Sequence, residues 1–119
     1  MVEDKQYLVD IVQAADDIAL VVAGVSQAEF MTDRIRQLAA MQAIAIIGEA
    51  AGKVSDDVKN RYAQVPWSQM TGMRHRVIHG YAAVKLGIVW ETAAKSVPIL
   101  REQIARILTR EFGHSIDPS

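Results

Sequence analysis

The chain has 119 residues, 50% of them hydrophobic and 23% charged, with three prolines, no cysteine and a formal net charge of -1. That length suits one domain, because domains typically hold roughly 100–150 residues and a chain of this size buries about two-thirds of its unfolded surface. A second independent domain, intrinsic disorder, a disulfide scaffold, a thiolate nucleophile and a zinc site with sulfur ligands are excluded. The charge is uneven, with ten acids and four bases in residues 1–57 against four acids and nine bases in residues 58–119. Either the halves neutralise each other on packing or the second half meets an anionic partner.

In chain order, the acidic start Met1-Val-Glu-Asp-Lys5 is unlike a signal peptide. Leu8, Ile11, Ala15, Ile18 and Val22 recur at steps of three and four, which predicts an amphipathic helix over about residues 3–23, ending near Gly24. Ser26-Gln-Ala-Glu29 is a capping box, and a second helix is expected from there to about Gly52. Its stretch Leu38 to Ile47 is apolar almost all round, so it should be the central helix, enclosed by neighbours. That stretch and Ile18 to Val25 are the longest apolar runs, and both fall far short of the ~20 residues that span a bilayer. A cytoplasmic protein without a membrane association is the expectation.

Ser55-Asp-Asp starts a short third helix, with a capping oxygen and acids at the positive end of the helix dipole. Proline fits a first helical turn, so Val65-Pro66-Trp67 opens a fourth, running from Pro66 to His79 and stopping at Gly80. Ala93, Val97, Leu100, Ile104 and Ile107 mark a fifth, which Pro98 should kink or divide. No stretch alternates with a period of two. The fold class is all-α: an antiparallel bundle of about five helices in one domain over residues 1–112, with residues 113–119 as a loose tail.

Phosphate loops, nucleophile elbows and acidic magnesium clusters are missing. Chemistry narrows to Thr71–Tyr81, which holds Arg74, His75, Arg76, His79 and Tyr81. His75 and His79 lie about 40° apart in azimuth on one helix face, the spacing of a two-histidine metal site. Such a site would need ligands from elsewhere, since no acid occurs between Lys59 and Trp90. Arg74 and His79 are about 140° and ~7.5 Å apart on a straight helix. They converge on one substrate only if the helix ends at His79 or two chains share the site. The plainer alternative has Arg74 and Arg76 solvated, His79 satisfying the last carbonyls of its helix and Tyr81 an ordinary loop aromatic. Glu49 is either a buried partner for an arginine such as Arg74 or a surface carboxylate. Trp67 and Trp90 read as core or dimer contacts, and His114 carries no role.

Arg74-x4-His79-Gly80-Tyr81 resembles the Arg-x4-His-x-Tyr signature of HepT-like toxins in the HEPN superfamily. Ile46-Ile-Gly-Glu-Ala50, Val65-Pro-Trp67, Gly72-Met-Arg74, Val89-Trp90 and Val97-Pro98 resemble the family's other landmarks in order, so the likeness covers about residues 5–108. The resemblance implies a helical homodimer acting as a metal-independent endoribonuclease without a cofactor. It also implies the toxin part of a type II/VII-like pair with an MNT-type nucleotidyltransferase antitoxin. By position, Arg74 and His79 would be catalytic, His75 and Arg76 would support contact with the RNA phosphates, and Tyr81 would receive adenylate from the antitoxin.

The chemistry suits these residue types. Histidine exchanges protons near neutrality, and a fixed guanidinium stabilises charge accumulating at phosphorus. The rival reading is a non-catalytic HEPN-type adaptor that binds a nucleotide or the nucleotidyltransferase. Intact Arg74, His79 and Tyr81 favour the enzyme.

Overall fold

Helix α1, Val2–Val22, buries Leu8, Ile11, Ala15 and Ile18, the stripe its periodicity dictates. The computed structural model describes residues 2–79 and 85–114. Asp4, at the start of α1, is buried and accepts from the backbone N–H (2.8 Å) and the hydroxyl (2.7 Å) of Ser55. This fixes the beginning of α1 to the residue that opens helix α4 (Asp56–Arg61), 51 residues later.

The capping box forms as expected: Ser26 Oγ accepts from the Glu29 N–H at 3.1 Å, and Glu29 Oε1 accepts from the Ser26 N–H at 2.9 Å. The helix it starts is shorter than expected. Helix α2 spans only Gln27–Phe30, and the central helix α3, Arg34–Lys53, begins afresh at Asp33. Asp33 is extended, and its carboxylate accepts from the Arg36 N–H at 3.1 Å, which supplies a new N-cap. The break lets Phe30 turn inward to full burial against the Trp90 ring, with centroids 5.3 Å apart. The buried Gln37 amide donates to the Phe30 carbonyl at 3.0 Å, compensating a helical bond that the break removes.

Helix α3 packs against α1 and against α5, Trp67–His79. The expectation that neighbours enclose it therefore holds on those sides but not on all, since Leu38 and Ile46 remain 41% and 39% exposed. Between them, α4, Asp56–Arg61, is capped by Ser55.

Helix α6, Leu86–Glu91, continues through a π-helical turn, Thr92–Ser96, into α7, Val97–Phe112. Pro98 accounts for that turn. Its ring would strike the carbonyl four residues back and it has no N–H to offer, so the chain widens by one residue per turn just before it. The seven α-helical segments among the described residues thus exceed the expected five because α2 separates from α3 and a helical turn, α6, precedes the π segment. No described residue forms a strand.

Helix α7 buries Leu100, Ile104, Ile107 and Leu108 against α1. Its end is anchored to α4, because Glu111 accepts from the Tyr62 hydroxyl at 2.7 Å and pairs with Arg61. Gly113 exits in the left-handed region at φ 61°, and the His114 N–H closes on the Leu108 carbonyl at 3.2 Å. The first two residues of the expected tail are therefore a helix cap. Among the described residues no helix is long and apolar enough to cross a membrane.

Candidate functional site

Helix α5 carries the basic segment, and its start is fixed by core residues. Trp67 is buried, its indole N–H donates to the Tyr62 carbonyl at 3.0 Å, and its backbone N–H donates to Val65 O at 2.8 Å. Pro66 precedes it, where a missing N–H costs nothing. From this anchor, Met70 and Val77 point into the core, and Arg74 meets α3 between them.

The approach of the two helices is unusually close at that point. A Cβ placed on Gly48 would lie 2.3 Å from Arg74 Cβ and 2.6 Å from the Met70 carbonyl oxygen. Only glycine permits the contact, since neither a β-carbon nor a backbone carbonyl can swing away. The sequence alone gives Gly48 no role, although it stands in the Ile46–Ala50 landmark. An isolated glycine inside an apolar helix was the available signal.

Arg74 borders an open cleft of about 650 Å³ whose lining includes Gln42, Ile46, Glu49, Val77 and Ile78. Its Nε is buried and has no hydrogen-bond partner among the described residues. A guanidinium nitrogen withdrawn from water without an acceptor is costly. Glu49 is no buried partner for it: it is exposed and pairs with Lys53 at 3.5 Å, which selects the surface-carboxylate alternative. Leu38, Ile46 and Ile78 leave apolar surface around the cleft, at 41%, 39% and 46% exposure.

The other basic residues lie elsewhere on α5. His75 and Arg76 are exposed. Residue 79 closes the helix, so its backbone sits about 140° around the axis from Arg74. The His79 side chain, the expected stop at Gly80, the expected modification site Tyr81 and the tail beyond His114 lie outside the described residues. Among the described residues no group of three or more His, Cys, Asp or Glu could hold a metal ion. Trp67 is a core residue, and Trp90, half-buried against Phe30, joins the core edge. His114 serves its helix end through its backbone.

A family model described as ribonuclease HepT-like matches residues 11–107. The chain is 34% identical over 107 residues to a candidate RNase of Caldanaerobacter subterraneus subsp. tengcongensis, covering 90% of this chain and 96% of the relative. It is 31% identical over 103 residues to a protein of Thermococcus cleftensis named "Probable ribonuclease HepT", covering 87% and 94%. A candidate RNase of Methanocaldococcus jannaschii is 31% identical over 104 residues, covering 87% and 86%. No solved structure matches the chain.

Proposed function

The chain belongs to the HepT-like ribonuclease family of the HEPN superfamily, and from that premise we propose that it is a metal-independent endoribonuclease whose site is completed by a second copy of the chain. The observation that carries this reading is Arg74, a cation that lines an open cleft and whose buried Nε has no partner among the described residues. In RNA cleavage a base removes the 2′-hydroxyl proton, the 2′-oxygen attacks phosphorus, and an acid protonates the departing 5′-oxygen. A 2′,3′-cyclic phosphate and a free 5′-hydroxyl result. Arg74 would hold the phosphoryl oxygens as charge builds on them, and His79 would move the protons.

Because the two positions stand about 140° apart around α5, one chain brings both groups to one phosphate only if the side chain of His79, the last residue of the helix, turns back toward Arg74. A two-fold dimer resolves this by gathering two copies of Arg74 and His79 in one cleft, one histidine acting as base and the other as acid. The open side of α3 supports such a dimer. Leu38, Ile46 and Ile78 surround the cleft with apolar surface that a second copy would cover.

The chain would then be the toxin of a toxin–antitoxin pair acting on RNA in the cytoplasm, with His75 and Arg76 supporting contact with the RNA. An MNT-type nucleotidyltransferase would neutralise it. The Tyr81 oxygen would attack the α-phosphorus of ATP, lose its proton, release pyrophosphate and carry an adenylate. That negative charge, close in sequence to Arg74 and Arg76, would compete with the RNA phosphate and obstruct the cleft. Induced expression without the partner tests the reading. Wild type should arrest growth and cleave RNA, while Arg74→Ala and His79→Ala should do neither. Equal behaviour of all three proteins would instead indicate a binding adaptor.

A further inference from the structure

Gly72 lies in the middle of α5, where glycine is unfavourable relative to alanine because it gives up more backbone freedom. Gly48 is required by the approach of Arg74, but no contact among the described residues requires Gly72, since a Cβ built there meets none of their heavy atoms within 4 Å. What it does line is a second groove, of about 440 Å³, on the side of α5 facing the π-helical turn. Ser68, Gln69, Met73, Arg76 and Thr92 complete the lining.

The groove wall is a mixture of apolar surface, including Met73, with polar groups that are neutral or cationic. It holds two hydroxyls, of Ser68 and of Thr92, the latter already donating to the Ile88 carbonyl at 2.8 Å, with a primary amide and the exposed Arg76, and none of its described lining residues is a carboxylate. Ser68, Gly72 and Arg76 follow at four-residue steps, so they form a strip about 80° wide along the helix. By the same register residue 79 falls within that strip, between residues 68 and 72 in azimuth. Arg74 lies roughly on the opposite face. The groove therefore runs in line with the end of α5 at His79, on the side away from the Arg74 cleft.

We infer that this groove binds the ribose–phosphate backbone of substrate RNA to one side of the scissile phosphate, an inference that rests on the ribonuclease reading above. Arg76 contacts a phosphate, Ser68 and Gln69 hydrogen-bond sugar and phosphate oxygens, and Gly72 lets the strand lie against the helix backbone. These are positioning contacts, made equally in the ground state and the transition state, so their loss raises KM and leaves kcat.

The test compares wild type, Gly72→Ala, Gly72→Leu, Arg76→Gln and, as a charge control, Lys59→Gln in cleavage of a short single-stranded RNA across a range of salt. RNA binding is measured in parallel by anisotropy. Gly72→Ala should melt higher by about 4 °C, yet raise KM several-fold, and Gly72→Leu should raise it further. Arg76→Gln should raise KM about tenfold and lower the salt slope of RNA binding by about one. Lys59→Gln should match wild type. If wild type cleaves RNA and the Gly72 and Arg76 variants keep its KM and salt slope, the groove assignment falls alone. The same holds if these variants lose only a protein partner. If wild type neither binds nor cleaves RNA, the ribonuclease reading falls and takes the groove with it.

Discussion

Gly48 and Arg74 touch where α3 crosses α5, with the two backbones so close that a single added carbon at residue 48 would overlap Arg74 Cβ at 2.3 Å. The position of Arg74 is therefore set by a residue that has no functional group. The contact holds Arg74 against the central helix at the edge of the cleft, with its Nε turned away from water.

Gly48→Ala should consequently destabilise the fold although alanine favours helices. Forcing α3 and α5 apart costs roughly 1–3 kcal/mol, more than the helix-propensity gain of about 1 kcal/mol. Urea unfolding should show a lower midpoint, and RNA cleavage should fall because Arg74 moves. A midpoint at or above that of wild type would mean that the helices separate without strain.

Arg74→Met should separate stability from activity. It removes a buried donor that lacks a partner among the described residues, and methionine fills much of the same volume, so stability should hold or rise by about 1 kcal/mol. Cleavage should drop at least about 100-fold, the scale of losing a group that stabilises transition-state charge. Loss of stability in parallel with activity would make Arg74 a structural residue.

Stability should also depend on pH through the junction of α4 and α7. The hydrogen bond from Tyr62, and then Arg61, hold the Glu111 carboxyl below its ordinary value. Its contribution is thus present above the unfolded value of about 4.3 and is lost as pH falls through the lower folded value. Burial, and then the bond to Glu111, push the Tyr62 hydroxyl up, so its contribution is present below about pH 10 and lost as pH rises beyond that. The stability gap between wild type and Glu111→Gln should be constant near neutrality and narrow in acid. A gap that is unchanged down to pH 3 would remove Glu111 from the acid limb.

What could be read from the sequence was whatever is encoded locally. The Ser26–Glu29 box, the Ser55 cap and the start of α5 after Pro66 each depend on residues within a turn of one another, and each forms. The break at Asp33 is not legible locally although Asp33 is a good cap, because burial of Phe30 against Trp90, 60 residues away in sequence, decides for it. The bond between Asp4 and Ser55 was invisible for the same reason. Pro98 signalled a disturbance, but not that the chain would absorb it as a π turn. At the site, the motif pointed to Arg74, whereas the role of Gly48 and the open side of α3 required packing to be seen.

The proposed two-fold site is tested most directly by a tethered heterodimer of wild type and His79→Ala, assayed on RNA beside the tethered wild-type homodimer. If one cleft uses one histidine as base and the other as acid, the heterodimer should lose about 100-fold or more in kcat, the usual worth of a general acid or base. Half or full activity would show that each chain works alone, and would contradict the account.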